Sequence, residues 1–255
     1  MPNVTAYQPG TPCWVELSTT DGPAAKTFYT SLFGWETNEM PVGEGEVYMI
    51  VRKNGGDVGG MFERRDLNGP PNWATYIAVA SADESAAKAK SLGGQIMAEP
   101  FDVMDAGRMA VIADPQGAIF SVWQGGRTIG ATVVNEPGTL CWNEVMSTDA
   151  ESARRFYSAL FGWTPKVTPE YTEWHLGERP IGGMFEMKGD MFEGVPPHWL
   201  PYFAVEDCDR STRRVTELGG SVNVPPTDIP DVGRFSLVND PQGASFYIIR
   251  LTRPM

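Results

Sequence analysis

The amino-acid sequence contains two copies of one unit. The segment GTPCWVEL at Gly10 returns as GTLCWNEV at Gly138, and FYTSLFGW at Phe28 returns as FYSALFGW at Phe156. Further motifs recur in the same order, namely GGMFE, PPNW (PPHW in the second copy), LGG, GR and DPQGA. An ordered set of matches with so few shifts indicates an internal duplication. It predicts one domain over residues 10–124, a linker over 125–137 and a second domain over 138–251.

Each copy divides again into two modules of similar order. The strand pattern CWVELSTT precedes a helix for which Asp21 is the predicted N-cap, Pro23 a first-turn residue and Gly34 the C-cap. Strand-like runs follow, and then a strand, a helix and further strands repeat the arrangement. The predicted order is βαβββ, twice per domain. Because helices and strands do not alternate singly, this pattern favours the α+β class over a doubly wound parallel sheet.

Charge and hydropathy disfavour several classes of partner. The formal net charge of −12 and the pI near 4.6 argue against binding to nucleic acid or to an acidic membrane surface. No apolar run approaches the ~18 residues of a membrane-spanning helix, and the first residues do not resemble a signal peptide. Three cysteines without a CxxC motif predict neither a disulfide framework nor a zinc cluster. We expect a soluble, cytoplasmic protein.

The repeated motifs resemble those of a known protein family. A helix that ends FYxxLFGW and a module that ends DPxGAxFxxW are similar to the vicinal oxygen chelate superfamily, which includes glyoxalases, bleomycin-resistance proteins and extradiol dioxygenases. With CWxE, GGMFE and LGG added, the chain resembles tandem two-domain bacterial proteins described as glyoxalase-like or as hydroxylases. The resemblance implies two tandem domains, each of paired βαβββ modules that form a curved mixed sheet around a cavity. A shared fold does not by itself imply an activity.

Most enzymes of that superfamily hold a divalent metal with His, Glu or Gln side chains. The resemblance places the ligand positions of the two copies at Trp14 and Trp142, Met61 and Met184, Ala74 and Leu200, and Ser121 and Tyr247. These side chains do not replace imidazole and carboxylate around such a cation, although a shifted register would bring in Glu63 or Glu186. We therefore expect no metal and no other cofactor.

The chain has two histidines, both in the second copy. One hypothesis joins His175 and His198 to Glu144 as an unorthodox metal site. The alternative, which we favour, is that His198 is a loop residue matched by Asn72 in the first copy, and that His175 is an ordinary strand residue. Neither histidine lies at a ligand position implied by the resemblance.

A glutamate recurs on the predicted cavity side of the first strand in each copy. Strand periodicity places Glu16 on the same face as Trp14, and Glu144 on the same face as Trp142. A carboxylate in apolar surroundings has a raised pKa and can act as a general acid or base near neutral pH. Both glutamates are therefore candidate catalytic residues. The alternative is a structural ion pair, for which the candidate partners are the arginines of the GR motifs, Arg108 and Arg234.

The other predicted cavity residues are aromatic or contain sulfur. They are Met61 and Met184, Trp73 and Trp199, Tyr76 and Tyr202, and Trp123 and Tyr247, with Tyr48 and Trp174 as further candidates. Aromatic walls with a few polar groups suit a partly apolar small molecule. The predicted ligand-binding residues also include Trp14, Trp142, Arg108, Arg234 and Ser121. Simple core packing is the alternative for several of these side chains.

Two further sets of residues are given structural roles. The cysteines Cys13 and Cys141 are assigned to the helix side of their strands, where burial makes them unreactive. The aspartates of the DPQG motifs, Asp114 and Asp240, are assigned to turns.

Three functions fit these observations. The favoured hypothesis is a metal-independent small-molecule-binding protein of the bleomycin-resistance type, which binds or sequesters a partly aromatic metabolite or natural product. The alternative is a glyoxalase-like lyase or a hydroxylase with Glu16 or Glu144 as general base. A scaffold with vestigial cavities is the third, and the abundance of aromatic residues argues against it. The chain is expected to act as a monomer or a homodimer.

Overall fold

The computed structural model describes residues 4–43, 46–64 and 69–253, which form two domains of the same order. The first domain contains β1 (Pro12–Thr19), α1 (Gly22–Phe33), β2 (Glu36–Gly43), β3 (Glu46–Lys53), β4 (Gly56–Glu63), β5 (Asn72–Ala78), α2 (Ala82–Ser91), β6 (Gln95–Val103), β7 (Gly107–Ala113) and β8 (Ile119–Gly125). The second contains β9 (Leu140–Ser147), α3 (Ala150–Phe161), β10 (Thr164–Val167), β11 (Thr172–Leu176), β12 (Arg179–Glu186), a 3₁₀ turn (Asp190–Phe192), β13 (His198–Ala204), α4 (Cys208–Glu217), β14 (Ser221–Ile229), β15 (Gly233–Asn239) and β16 (Ser245–Leu251). The predicted βαβββ order is confirmed in all of its repeats.

Each domain forms one eight-stranded mixed sheet. The strand order is β2-β3-β4-β1-β5-β8-β7-β6 in the first domain and β10-β11-β12-β9-β13-β16-β15-β14 in the second. The leading strands of the two modules pair antiparallel at the centre of each sheet, β1 with β5 and β9 with β13. The predicted α+β class is confirmed, and the strands that carry Glu16 and Glu144 lie in the middle of their sheets.

Local sequence fixes both ends of α1. The Asp21 side chain accepts a hydrogen bond from the amide of Ala24 at 2.9 Å, and Pro23 lies in the first turn. Gly34 ends the helix with a φ of 70°, a left-handed conformation that favours glycine. The predicted caps are confirmed, and Asp149 and Gly162 cap α3 in the same way.

Helices α1 and α3 join the two domains. The Tyr29 hydroxyl of α1 donates to Asp240 Oδ2 in the second domain at 3.0 Å, and the Tyr157 hydroxyl of α3 donates to Asp114 Oδ2 in the first domain at 3.0 Å. The other carboxylate oxygen of each aspartate accepts two backbone amides of its own turn, as the turn assignment predicts. Matched contacts of this kind are what a pseudo-twofold arrangement of the domains produces. We call this region the seam.

The segment between the two sheets crosses the first domain. Ala131 donates its amide to the carbonyl of Cys13 at 2.8 Å, and Thr132 donates its amide to the carbonyl of Asp57 at 2.7 Å. Across the described ranges, no helix combines the length and the apolar character needed to cross a bilayer.

The cysteines of β1 and β9 occupy an unexpected position. Cys13 and Cys141 are buried, as predicted, and burial raises the pKa of both thiols. Cys13 nevertheless packs in the same cluster as Tyr76, and Cys141 in the same cluster as Tyr202, and both tyrosines belong to the predicted cavity side. The assignment of the two cysteines to the helix side is therefore wrong. The strand pairing shifts register at both cysteines. Such a bulge breaks the strict alternation that the prediction assumed.

Candidate functional site

Each sheet has two faces of different character. In β1, Val15 and Leu17 are fully buried in the core that includes α1, and we call this the helix face. Trp14 and Glu16 alternate with them on the opposite side, the cavity face, where both are partly exposed. Glu16 pairs across the sheet with Ala74 of β5. The central strands therefore present a carboxylate and an indole together on the cavity face.

Two tyrosine hydroxyls bind the Glu16 carboxylate. Tyr48 of β3 donates to Oε2 at 2.7 Å, and Tyr76 of β5 donates to Oε1 at 3.1 Å. The Trp14 indole donates to the Tyr48 hydroxyl at 3.2 Å and so completes a chain of donors that ends on the carboxylate. Burial raises the pKa of Glu16 above its usual range, although both tyrosine hydrogen bonds oppose this shift. Glu16 can therefore hold a proton nearer neutral pH than an exposed glutamate.

Glu144 has three tyrosine partners in the second domain. Tyr202 donates to Oε2 at 3.2 Å, and the hydroxyls of Tyr171 and Tyr247 also bind the carboxylate. The Trp142 indole donates to the Tyr171 hydroxyl at 3.0 Å, which repeats the arrangement of the first domain. The Glu144 residue is only 4% exposed, and burial raises its pKa to about 7 despite the three donors.

A glycine makes room for one tyrosine at each site. Gly60 of β4 pairs with Glu16, and a Cβ added to it would collide with the Tyr48 hydroxyl. Gly183 of β12 pairs with Glu144, and a Cβ added to it would collide with the Tyr171 hydroxyl. The second glycine of each GGMFE motif therefore lets a tyrosine reach the carboxylate, from within β3 in the first domain and from the residue just before β11 in the second.

Four predicted cavity residues lie in the core instead. Met61 and Met184 are almost fully buried on the helix face, because the glycine before each of them occupies the cavity face. The indoles of Trp73 and Trp199 donate to the hydroxyls of Tyr29 and Tyr157 at 3.0 and 3.1 Å, which places them at the seam. The prediction that these four line the cavity is wrong. Glu63 does not restore a cavity carboxylate, because its Oε2 accepts the amide of Gly22 at the start of α1.

The two arginines of the GR motifs also lie away from the glutamates. Each guanidinium binds one carboxylate of a helix and one of a neighbouring strand, Asp83 at 2.7 Å and Asp102 at 2.9 Å for Arg108, and Asp209 at 2.7 Å and Asp228 at 3.0 Å for Arg234. The prediction that they pair with Glu16 and Glu144 is wrong, and tyrosine hydroxyls take that role. Helical carboxylates hold them on the outer side of the sheet, which also contradicts their assignment to the ligand site.

The histidines lie outside both glutamate networks. The His175 ring is buried and contacts the Glu173 carboxylate. The Nδ1 atom of His198 lies 2.7 Å from the carbonyl of Pro196, and burial lowers the pKa of this imidazole. The histidines bond to Glu173 and to Pro196, whereas Glu144 bonds to tyrosines.

The groups around the glutamates do not fit a divalent cation. Within the part of the chain that the structure describes, no three His, Cys, Asp or Glu residues lie together as a metal-ligand group. The lone pairs of Glu16 and Glu144 accept tyrosine O–H groups, and a neutral phenol is a poor substitute for imidazole or carboxylate ligands. Neither site supplies the ligand set for the metal that the family resemblance implies.

Tyr171 is a residue of these networks that the sequence pattern did not predict. Trp174, the predicted companion of Tyr48, is instead fully buried in the core of the seam. The correct counterpart was available from the repeat, since Tyr48 precedes Gly59 and Tyr171 precedes Gly182 by the same number of residues. The GGMFE motif would have aligned the two tyrosines.

Both domains match one protein family. Residues 13–122 and 139–248 match the model of the Glyoxalase/Bleomycin resistance protein/Dioxygenase superfamily. A protein of Mycobacterium tuberculosis named "Putative glyoxylase CFP32" is 44% identical over 259 residues, which cover 98% of each chain. A protein of Streptomyces peucetius named "Anthracycline biosynthesis protein DnrV" is 36% identical over 266 residues, which cover 97% of this chain and 96% of that one.

Solved structures share the fold at low sequence identity. The Mn(II)-bound glyoxalase from Novosphingobium aromaticivorans superposes with a TM-score of 0.69 at 15% identity, over 97% of this chain and 84% of that one. The 2,3-dioxygenase LapB from Pseudomonas sp. KL28 superposes with a TM-score of 0.67 at 12% identity, over 98% of this chain and 95% of that one. At such identities the likeness concerns the fold alone.

Proposed function

The chain belongs to the Glyoxalase/Bleomycin resistance protein/Dioxygenase superfamily, and within it we propose a protein that binds a partly aromatic small molecule without a metal. The observation that carries this proposal is the network around Glu16. The Glu16 carboxylate accepts hydrogen bonds from Tyr48 and Tyr76 and lies beside the Trp14 indole, and the residue as a whole is partly exposed. An aromatic wall with one buried polar anchor is the usual composition of a small-molecule site.

The chemistry of the network narrows the ligand class. The anchor is a carboxylate and the chain carries a net charge of −12, so an anionic ligand is disfavoured. Aromatic side chains stabilise planar rings through stacking and burial of apolar area. The name of the Streptomyces relative, which refers to anthracycline biosynthesis, supports a polycyclic aromatic ligand.

Binding of 2-naphthol, a bicyclic aromatic phenol that stays protonated at neutral pH, tests this proposal. We expect it to quench tryptophan fluorescence saturably, after correction for its own absorbance, in EDTA-treated protein. Glu16→Gln should weaken the apparent affinity by about tenfold, since a hydrogen bond to a charged acceptor contributes about 1.5 kcal/mol. Glu84→Gln, an exposed position on α2, is the matched control and should leave binding unchanged. Absence of saturable quenching in the unmodified protein would contradict the proposal.

The raised pKa values favour a second candidate function, general-base catalysis in a glyoxalase-like lyase or a hydroxylase. Glu144 has a pKa of about 7, but it is 4% exposed and surrounded by its own tyrosines. Glu16 also has a raised pKa and is partly exposed, so a substrate can reach it. Under this alternative, Glu16 is the base.

Turnover of the glutathione hemithioacetal of methylglyoxal tests the lyase form of this alternative. A general base typically contributes at least about 100-fold to the rate. Glu16→Gln should then lower kcat by that factor, whereas Glu84→Gln should retain full turnover. An equal rate for Glu16→Gln and the unmodified protein would remove Glu16 as the base.

A further inference from the structure

The two cavity faces differ in the size of the side chains near the glutamate. At positions related by the repeat, the first domain carries the smaller residue, namely Ala74 against Leu200, Val111 against Leu237, and Ser121 against Tyr247. Trp123 is larger than its counterpart Ile249. Its ring lies edge-on to that of Tyr76, with a centroid distance of 6.4 Å, and its indole donates to the carbonyl of Thr128 at 3.1 Å. At the other three positions, the first domain has less side-chain volume than the second.

In the second domain, a tyrosine of the chain itself fills the space beside the carboxylate. The Tyr247 ring stacks on the Tyr202 ring, with a centroid distance of 4.1 Å and an interplanar angle of 15°. Its hydroxyl binds Glu144 as a third donor. The carboxylate is consequently closed off, since Glu144 is only 4% exposed.

The first domain has the same framework without a ring at the position of Tyr247. Ser121 pairs with Tyr76 in the register in which Tyr247 pairs with Tyr202. Ser121 is too short to stack on Tyr76, and its hydroxyl binds that of Tyr76 instead. Glu16 keeps two tyrosine donors and remains partly exposed on the cavity face.

We propose that the first domain binds the phenol ring of its ligand in the place that Tyr247 occupies in the second domain. The ring stacks on Tyr76, and the phenol hydroxyl donates to Glu16. The second domain does not bind ligand, because its own tyrosine occupies the equivalent place. This inference rests on the proposed function and adds to it the ligand group, its orientation and the choice of domain.

The identity of the ligand group follows from matching donors to acceptors. A carboxylate that already accepts from two hydroxyls offers its remaining lone pairs to an O–H donor. A phenol supplies that donor on a flat ring, in the geometry that Tyr247 shows beside Glu144. A phenolate or carboxylate ligand would place like charges together and is disfavoured.

The test uses p-cresol, which is the side chain of tyrosine, and follows the indole nitrogen–proton signals of Trp14 and Trp142 by NMR. These indoles donate to Tyr48 and Tyr171, so each reports on one network. In the unmodified protein, p-cresol should shift the Trp14 signal saturably and leave the Trp142 signal in place. Toluene, which lacks the hydroxyl, should bind at least about tenfold more weakly.

Two exchanges of side chains between the domains make the test reciprocal. Ser121→Tyr should abolish the response of Trp14, because the new ring fills the site, whereas Ser91→Tyr on the outer surface of α2 is the matched control and should preserve it. Tyr247→Ser should make the Trp142 signal respond to p-cresol. This second exchange keeps the test valid if Ser121→Tyr does not fold.

The outcomes separate this inference from the proposed function. If 2-naphthol binds but p-cresol moves Trp142 as much as Trp14, or if neither exchange alters the responses, the inference is wrong and the proposed function stands. If the unmodified protein binds neither 2-naphthol nor p-cresol, the proposed function fails and the inference fails with it.

Discussion

The two domains use the same residues where they touch each other and different residues on their cavity faces. At the seam, Tyr29 binds Asp240 and Tyr157 binds Asp114, both at 3.0 Å. On the cavity faces, Ser121 stands where the second domain has Tyr247. A pseudo-symmetric contact needs its residues twice, because each domain supplies half of both contacts. The cavity faces have no such requirement, so their residues are free to differ between the domains.

The largest effect should come from removing an indole at the seam. Trp35 and Trp163 are 4% and 2% exposed, and each donates across the seam, to the carbonyl of Gly138 at 2.6 Å and of Gly10 at 2.7 Å. Replacing either with alanine should lower the free energy of unfolding by about 3–5 kcal/mol. Urea unfolding of both variants measures this. Losses that differ by more than about 1 kcal/mol would show that the two halves of the seam are not equivalent.

Stability should fall as pH rises, because Glu144 has a raised pKa. In the unfolded chain this carboxyl loses its proton near 4.5, and in the folded protein near 7. The folded state binds the extra proton between these values, so the contribution is fully present below about pH 4.5 and is lost as pH rises through about 7. It amounts to about 3 kcal/mol at most. Burial raises the pKa of Glu16, Asp114 and Asp240 as well, which adds to the same trend.

The variant Glu144→Gln measures how much of this pH dependence of stability is due to Glu144. The difference in unfolding free energy between about pH 5 and about pH 8 should shrink by up to about 3 kcal/mol in this variant. Glu16→Gln should shrink it less, because Glu16 is partly exposed and its ionised form is better solvated. Equal changes for the two variants would mean that the cavity faces are equally closed.

The sequence was sufficient for features that depend on local pattern. The repeat and the capping residues Asp21 and Gly34 predicted the modules and the ends of α1. The alternation in β1 predicted that Glu16 and Trp14 share a face, as the burial of the strand shows. These features need only the chain near each residue, so one sequence carries the information.

Most of the errors concern pairings between distant segments. Polar and apolar residues do not alternate in the GGMFE strand, so the sequence does not show which of its side chains point to the cavity. Their direction depends on the pairing with β1, where Gly60 lies opposite Glu16. A shift of one residue exchanges the two faces, which is why the sequence wrongly predicts Met61 in the cavity. The pairing of Arg108 with Asp83 across 25 residues is likewise a tertiary contact that spacing alone does not reveal.

A smaller effect should follow from removing the third donor to Glu144. Tyr247→Phe keeps the ring stacked on Tyr202 but deletes the hydroxyl that binds the carboxylate. We expect a loss of about 1 kcal/mol in the free energy of unfolding, and a further rise in the pKa of Glu144, because this hydrogen bond lowers it. Urea unfolding and an NMR pH titration measure the two quantities.

Tyr76→Phe is the comparison variant in the first domain. It also removes a donor from a glutamate, but Glu16 is partly exposed, so water can replace the lost hydroxyl and the loss of stability should be smaller. A larger loss for Tyr76→Phe than for Tyr247→Phe would reverse the assignment of the open and filled cavities.

The smallest expected effect is that of a chelator. A metal bound only to the folded state would raise the melting temperature by mass action, and its removal would lower it. Both glutamates are bound by neutral tyrosine donors rather than by further ligands of a cation. EDTA should therefore change the melting temperature, measured by circular dichroism, by less than about 1 °C. A clear decrease would have to be assigned to one domain. If Glu16→Gln removed the sensitivity and Glu144→Gln did not, the open cavity would be a metal site, and the contrast between the domains would be one of metal binding rather than of space.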